Sequence, residues 1–174
     1  MATTYEAIAT VTVGSGGAAN IEFTSIPQTY TDLALLFSSK AARAGSPPFT
    51  TVVMTFNAST TGYSSITIIG DGSTASSNAG SSSGINNMQT SAAGNTNIFG
   101  SQYIYIPNYT STTTNKSVSI DSVSEINATL AYMNLTAGLL SNTAAITSIK
   151  LAEPNGPSDW TQYTTATLYG IKNS

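Results

Sequence analysis

The chain has 174 residues, a formal net charge of −3, no histidine, no cysteine and only 7% charged side chains, against roughly 25% in an ordinary soluble domain. This excludes imidazole and thiol catalysis, the usual zinc sites, His- or Cys-ligated haem and disulfides, and five scattered cations do not build a phosphate-binding surface. Ser and Thr, about three residues in ten, carry the polarity, while 40% hydrophobic residues suffice for a core at this length.

Val, Ile, Thr and Tyr are plentiful and helix formers scarce, so the chain reads as all-β. Tyr5, Ala7, Ala9, Val11 and Val13 form one apolar face of a first strand, with Ile8 out of phase. GSGGAA (Gly14–Ala19) reads as a turn and Asn20–Thr24 as the return strand of a hairpin. Leu33, Leu35 and Phe37 share a face of the next strand, Ala41–Pro48 is a loop, and Val52, Met54 and Phe56 share a face after it. Ile66 and Ile68 mark a short strand. The Ser/Gly/Asn-rich stretch at about 70–100 has no strong period and reads as a long insertion loop, dispensable for the fold, its sparse Ile85, Met88, Ile98 and Phe99 free to pin it to a neighbour.

Strands resume with Tyr103–Ile106, bulky on both faces. In Lys116–Glu125, Val118 and Ile120 share a face and Val123 falls on the other, which suggests a bulge or bend. Ala131, Met133, Leu135, Ala137 and Leu139 hold one parity through a long strand; Ile149 and Leu151 mark another. EPNGPSD (Glu153–Asp159) is a turn, and about Gln162–Ile171 is the last strand. About eight to ten strands with frequent turns predict an antiparallel β-sandwich, jelly-roll-like, in one domain over residues 1–174.

No chemistry-bearing constellation stands out. Asp121 and Glu125 share a parity about 13 Å apart at ~3.3 Å per residue, too far for a glycosidase pair. Asp71 sits in a DG turn without the rest of a calcium loop. Ser82 lies in a G-x-S-x-G with no histidine to activate it. Gly14–Ala19 spells G-x-G-x-x-A, but a strand follows where a dinucleotide site needs a helix. No apolar run reaches the roughly 18 residues of a membrane span, and MATTYEAIATVTV lacks the regions of a secretory signal. The expectation is therefore a non-enzyme with no cofactor and no metal, and without nucleic acid or membrane as partner.

Six ordered stretches resemble small virion structural proteins of marine and cyanobacterial tailed phages: IEFTSIPQTYTDL (Ile21–Leu33), FNASTTGYSS (Phe56–Ser65), YIPNYTS (Tyr105–Ser111), NKSVSIDSVSE (Asn115–Glu125), LLSNTAAITSIKL (Leu139–Leu151) and TATLYGIKN (Thr165–Asn173). The resemblance implies a β-sandwich at the virion surface, made in the host cytoplasm. It implies a head decoration (cement) protein that binds the major capsid protein and itself, as a homotrimer, or alternatively a tail-fibre or receptor-binding domain that recognises a host surface glycan. None of the stretches is a catalytic motif. Exposed loops and aromatics are the expected interface: Thr3–Tyr5, Ala41–Pro48 and Gly70–Gly100, with Tyr5, Arg43, Pro47, Ile85, Met88, Phe99, Tyr109 and Trp160 as candidate contacts.

Overall fold

Residues 4–43, 49–80, 83–92, 97–126, 131–154 and 159–172 are described by the computed structural model. Among them run twelve strands and no helix: β1 (Tyr5–Thr12), β2 (Asn20–Phe23), β3 (Asp32–Ser39), β4 (Phe49–Phe56), β5 (Tyr63–Gly70), β6 (Ala75–Gly80), β7 (Ile85–Ser91), β8 (Gly100–Ile106), β9 (Lys116–Glu125), β10 (Ala131–Leu140), β11 (Ile149–Ala152) and β12 (Thr165–Ile171). They form an eight-stranded sheet, order β1-β12-β3-β8-β9-β10-β5-β6, and a four-stranded sheet, order β2-β11-β4-β7. Every strand pairing is antiparallel. The all-β sandwich expectation holds; the eight-to-four division gives the jelly-roll part no support.

The core follows from alternation where alternation is plain. Leu33, Leu35 and Phe37 of β3, Val52, Met54 and Phe56 of β4, and Ile104 and Ile106 of β8 are all buried between the sheets. Trp160 lies in this layer, its ring edge-on to Phe37 at 5.3 Å, its indole N–H donating to the Leu151 carbonyl at 3.3 Å. Tyr63 accepts from the Phe56 amide at 2.8 Å and so ties the start of β5 to the end of β4.

Four sequence expectations change. The first strand is split by a bulge between Ala7 and Ala9. The extra residue, Ile8, packs partly buried against the core with Val11, while Tyr5 stays outside. β1 and β2 are not a hairpin: β1 pairs with β12 and β2 with β11, so the Gly14–Ala19 turn is a corner between sheets. The ladder between β9 and β10 is continuous and has no bulge at Val123, which simply faces outward.

The stretch at 70–100 is not a loop. β6 pairs with β5 at the edge of the large sheet, and β7 pairs with β4 and lies against β9, β10 and β5. Ile85 and Met88 are three residues apart, on opposite parities, yet both are buried. An extra residue on β7 explains it, since Val52 opposes Met88 and Met54 opposes Ile85, so two steps along β4 match three along β7. The residues that break the period are the ones the bulge turns inward. Gly84 is equally fixed, because a Cβ there would lie 2.5 Å from Val53 Cγ1.

If β7 is core, Met88→Ala leaves a cavity and lowers unfolding stability by about 2–4 kcal/mol, measured by urea denaturation. A loss below roughly 0.5 kcal/mol, ordinary for a surface position, would return the segment to the surface.

Candidate functional site

The large sheet has one face against the core and one toward solvent, and on one half the usual polarity is reversed. Along β10 the inward residues are Asn134, Thr136 and Gly138, and the outward ones are Met133, Leu135, Ala137 and Leu139. Along β5, Ser65 and Thr67 point in while Ile66 and Ile68 point out. β9 joins the pattern at its end, with Ser122 and Ser124 inside and Val123 outside.

Burial beneath β7 explains the polar inner side. Thr67 and Thr136 share a hydroxyl hydrogen bond at 2.9 Å, Ser65 donates to Asn86 of β7 at 2.9 Å, and the Gln102 amide donates to the Gln89 carbonyl at 2.7 Å. Ile85 fills the space over Gly138, where a Cβ would come within 2.8 Å of it. Small or hydroxyl-bearing side chains are what this close approach admits.

The outer side is an aliphatic field. Met133 is 67% exposed, Ile66 62%, Ile68 60% and Leu135 55%. The ladders align them in rows. One row runs Ser77–Ile68–Leu135–Asp121–Tyr103–Leu36 across six strands, and Ala79–Ile66–Ala137–Ser119–Tyr105 runs beside it. A hollow of about 330 Å³ beside Met133 and Leu135 is bounded by Ile68, Gly70, Ala75 and Asp121. Asp121 is the one charge in these rows.

The other half of the face is tyrosine-rich. The Tyr5 and Tyr103 hydroxyls meet at 3.2 Å, Tyr5 stands edge-on to Tyr169 at 6.2 Å, and Tyr105 donates to Asp32 at 2.9 Å. Tyr103 is pushed up to about 12, first by its hydrogen bond with Tyr5 and then by burial. Burial, followed by the bond to Asp32, also raises Tyr105.

Of the eight candidate contacts, Tyr5 is exposed and belongs to this face. Four are corrections. Ile85, Met88, Tyr109 and Trp160 are fully buried and present no surface; Tyr109 donates its hydroxyl to the Pro27 carbonyl beneath the sheet end. Arg43 is half-buried and reaches Glu153 at 3.7 Å, a carboxylate that also accepts from Thr50. Phe99 is half-buried. Pro47, Thr3 and Ser82 lie outside the described residues. The sequence reading missed Ile66, Ile68, Met133 and Leu135 as surface residues. Their alternation was visible, but periodicity defines two faces without saying which is wet.

Other chemistry-bearing groups have local work. The Asp71 carboxylate accepts from the Ser73 and Thr74 amides at 2.9 and 2.7 Å and from both their hydroxyls, which holds its own pKa well below the usual range and closes the β5–β6 turn. Among the described residues no three His, Cys, Asp or Glu side chains gather as a metal site. A hollow of about 410 Å³ on the outside of the small sheet holds one acid, Glu22, directly across the ladder from Lys150.

Two of the six stretches quoted above, Phe56–Ser65 and Asn115–Glu125, contain residues that act as pins. Asn57, at φ 52°, donates to the Ala145 carbonyl and accepts from Thr147 and Ser148. Lys116 is buried and donates to the carbonyls of Ser111, Thr114 and Thr143 at 2.7, 2.7 and 3.0 Å. No family profile, curated protein or solved structure matches the chain.

Tyr5→Phe removes the hydroxyl that favours the neutral form of Tyr103. The Tyr103 titration is then expected to fall from about 12 toward the ordinary value of about 10, read by ultraviolet absorbance against pH. An unchanged titration would mean that the two hydroxyls do not meet in solution.

Proposed function

We propose that the protein is a non-enzymatic structural component of a tailed-phage particle, a decoration protein that binds the outer surface of the head against the major capsid protein and stabilises it. The observation that carries this reading is the outer face of the eight-stranded sheet, where aliphatic side chains more than half exposed lie in register across β5 and β10, with the less exposed Val123 of β9 beside them. Contiguous apolar surface of this kind is a docking surface. With one charge in its rows, its contacts are nearly independent of salt, since only charge–charge attraction is screened. The resemblance of the six stretches to virion proteins supplies the setting, and two of those stretches contain the fold-holding residues Asn57 and Lys116.

A second reading has its own observation. Tyr5, Tyr103, Tyr105 and Tyr169 gather on the other half of the same face, and tyrosines with free ring surface stack on sugars. A tail-fibre domain binding a host surface glycan would use that half.

The test is to add purified protein to phage heads that lack it and locate it by electron microscopy. Ordered density over the capsid surface is expected, together with heads that withstand heating better than bare ones. Density confined to the tail would overturn the decoration reading, and glycan binding abolished by Tyr103→Ala would replace it. Absence of binding to any part of the particle would remove both.

A further inference from the structure

The aliphatic half of the outer face complements itself, and we propose that a second copy of this chain covers it, making a two-fold dimer by face-to-face packing of β9-β10-β5-β6. The inference goes beyond the docking reading above: it gives the aliphatic half of the outer face to a second copy and leaves the tyrosine half of the same face to meet the head.

The register carries the argument. A two-fold axis parallel to the strands, between β5 and β10, lays β10 over the partner's β5 and β9 over the partner's β6. The row Ser77–Ile68–Leu135–Asp121 then meets its own reverse. Ile68 faces Leu135 of the other copy, and Leu135 faces Ile68. Asp121 lies over Ser77, on a strand of small and polar residues (ASSNAG) that is exposed from Ala75 to Ala79. The acid therefore meets hydroxyls and never its own copy. Aligned face-to-face packing of this type is how sheets ordinarily form a core, and an isologous contact requires this self-complementarity.

Shape agrees with the register. Met133, the most exposed aliphatic side chain of the face, stands beside the hollow of about 330 Å³ that runs past Gly70 and Ala75. A knob and a hole side by side on one surface are filled reciprocally by a second copy.

Size is adequate. Four strands spaced about 4.8 Å and roughly seven residues of about 3.4 Å give a face of about 19 by 24 Å. A pleated surface has more accessible area than its projection, so two copies bury on the order of 1,200 Å² together, the lower end of stable interfaces. Charge points the same way. A basic partner would find one carboxylate in these rows, and an acidic partner would find no cation. The arrangement is two-fold, where the phage resemblance implies a trimer.

The chain has no cysteine, so engineered pairs report cleanly. Ser77 and Asp121 of one copy are three strand spacings apart, about 14 Å, and cannot form a disulfide within a chain. Ser77→Cys combined with Asp121→Cys is expected to give covalent dimers on mild oxidation or with a short bismaleimide, and each single variant to give almost none. Sedimentation equilibrium of the unmodified protein is expected to show a dimer at about 10 µM, a range typical of modest interfaces. Ile68→Ser with Leu135→Ser, both at exposed positions, should give a monomer with unchanged far-ultraviolet circular dichroism.

A monomer at about 100 µM would overturn the proposal. So would a trimer, a dimer that survives the two serine substitutions, or cross-linking by Ser77→Cys alone, which would mean edge pairing of β6. A monomer that still decorates heads leaves the proposed function standing without this interface. A two-fold dimer that ignores heads leaves the interface standing without that function.

Discussion

The close seating of β7 beneath β5, β10 and β9 is the constraint from which the rest of the molecule follows. Ile85 occupies the space over Gly138, and Thr67, Thr136 and Ser65 line the floor around it. A larger inward side chain on β10 would push β7 away and break its ladder with β4. The Thr67, Thr136, Ser65 and Ser122 hydroxyls are tolerated there because they pair with one another or with β7, and a paired buried hydroxyl avoids most of the cost of desolvation. The strands must still be β-formers. With their inward positions given to small and polar residues, their branched and aliphatic residues fall on the outward parity.

That displacement sets the energetics of the free chain. At about 25 cal/mol per Å², aliphatic surface left in water is stabilisation not realised within one copy. Covering it gains stability by mass action, a route open to a chain without disulfides. Interior fastenings are correspondingly specific. Lys116 is buried with three carbonyl acceptors, and Asn57 satisfies four partners from a left-handed backbone position. Each holds loops that a larger apolar core would otherwise hold by packing.

How much of this was legible in the sequence depended on whether parity and burial agreed. They agree in β3 and β4, where Leu33, Leu35, Phe37, Val52, Met54 and Phe56 read as core and are core. They fail in β7, because a bulge gives Ile85 and Met88 the same direction from opposite parities, and no local residue announces the bulge. They mislead in β10, whose alternation is the clearest in the chain and points to solvent. Periodicity is a property of one strand, whereas the direction of a face is decided by what lies on the sheet, here a strand some 45 residues earlier. The loop aromatics misled differently. Trp160 and Tyr109 sit among turn residues, but a large ring in a turn closes over the core as readily as it faces water, and both close over it.

In the proposed dimer the two halves of the outer face would also have separate uses. In the two-fold arrangement only β9-β10-β5-β6 is overlaid, so β8, β3, β12 and β1 project past the partner's edge. The tyrosine half lies on those strands, with Leu36, Tyr103 and Tyr5 on its surface. Each dimer would therefore carry two tyrosine platforms, on opposite flanks and facing opposite ways. Under the proposed function one platform would face the head and the other the medium, and neither would require the aliphatic surface assigned to the proposed dimer. The strand that carries Asp121, β9, divides the two: on the β10 side aliphatic surface that water disfavours, on the β8 side phenols whose hydroxyls suit a wet contact.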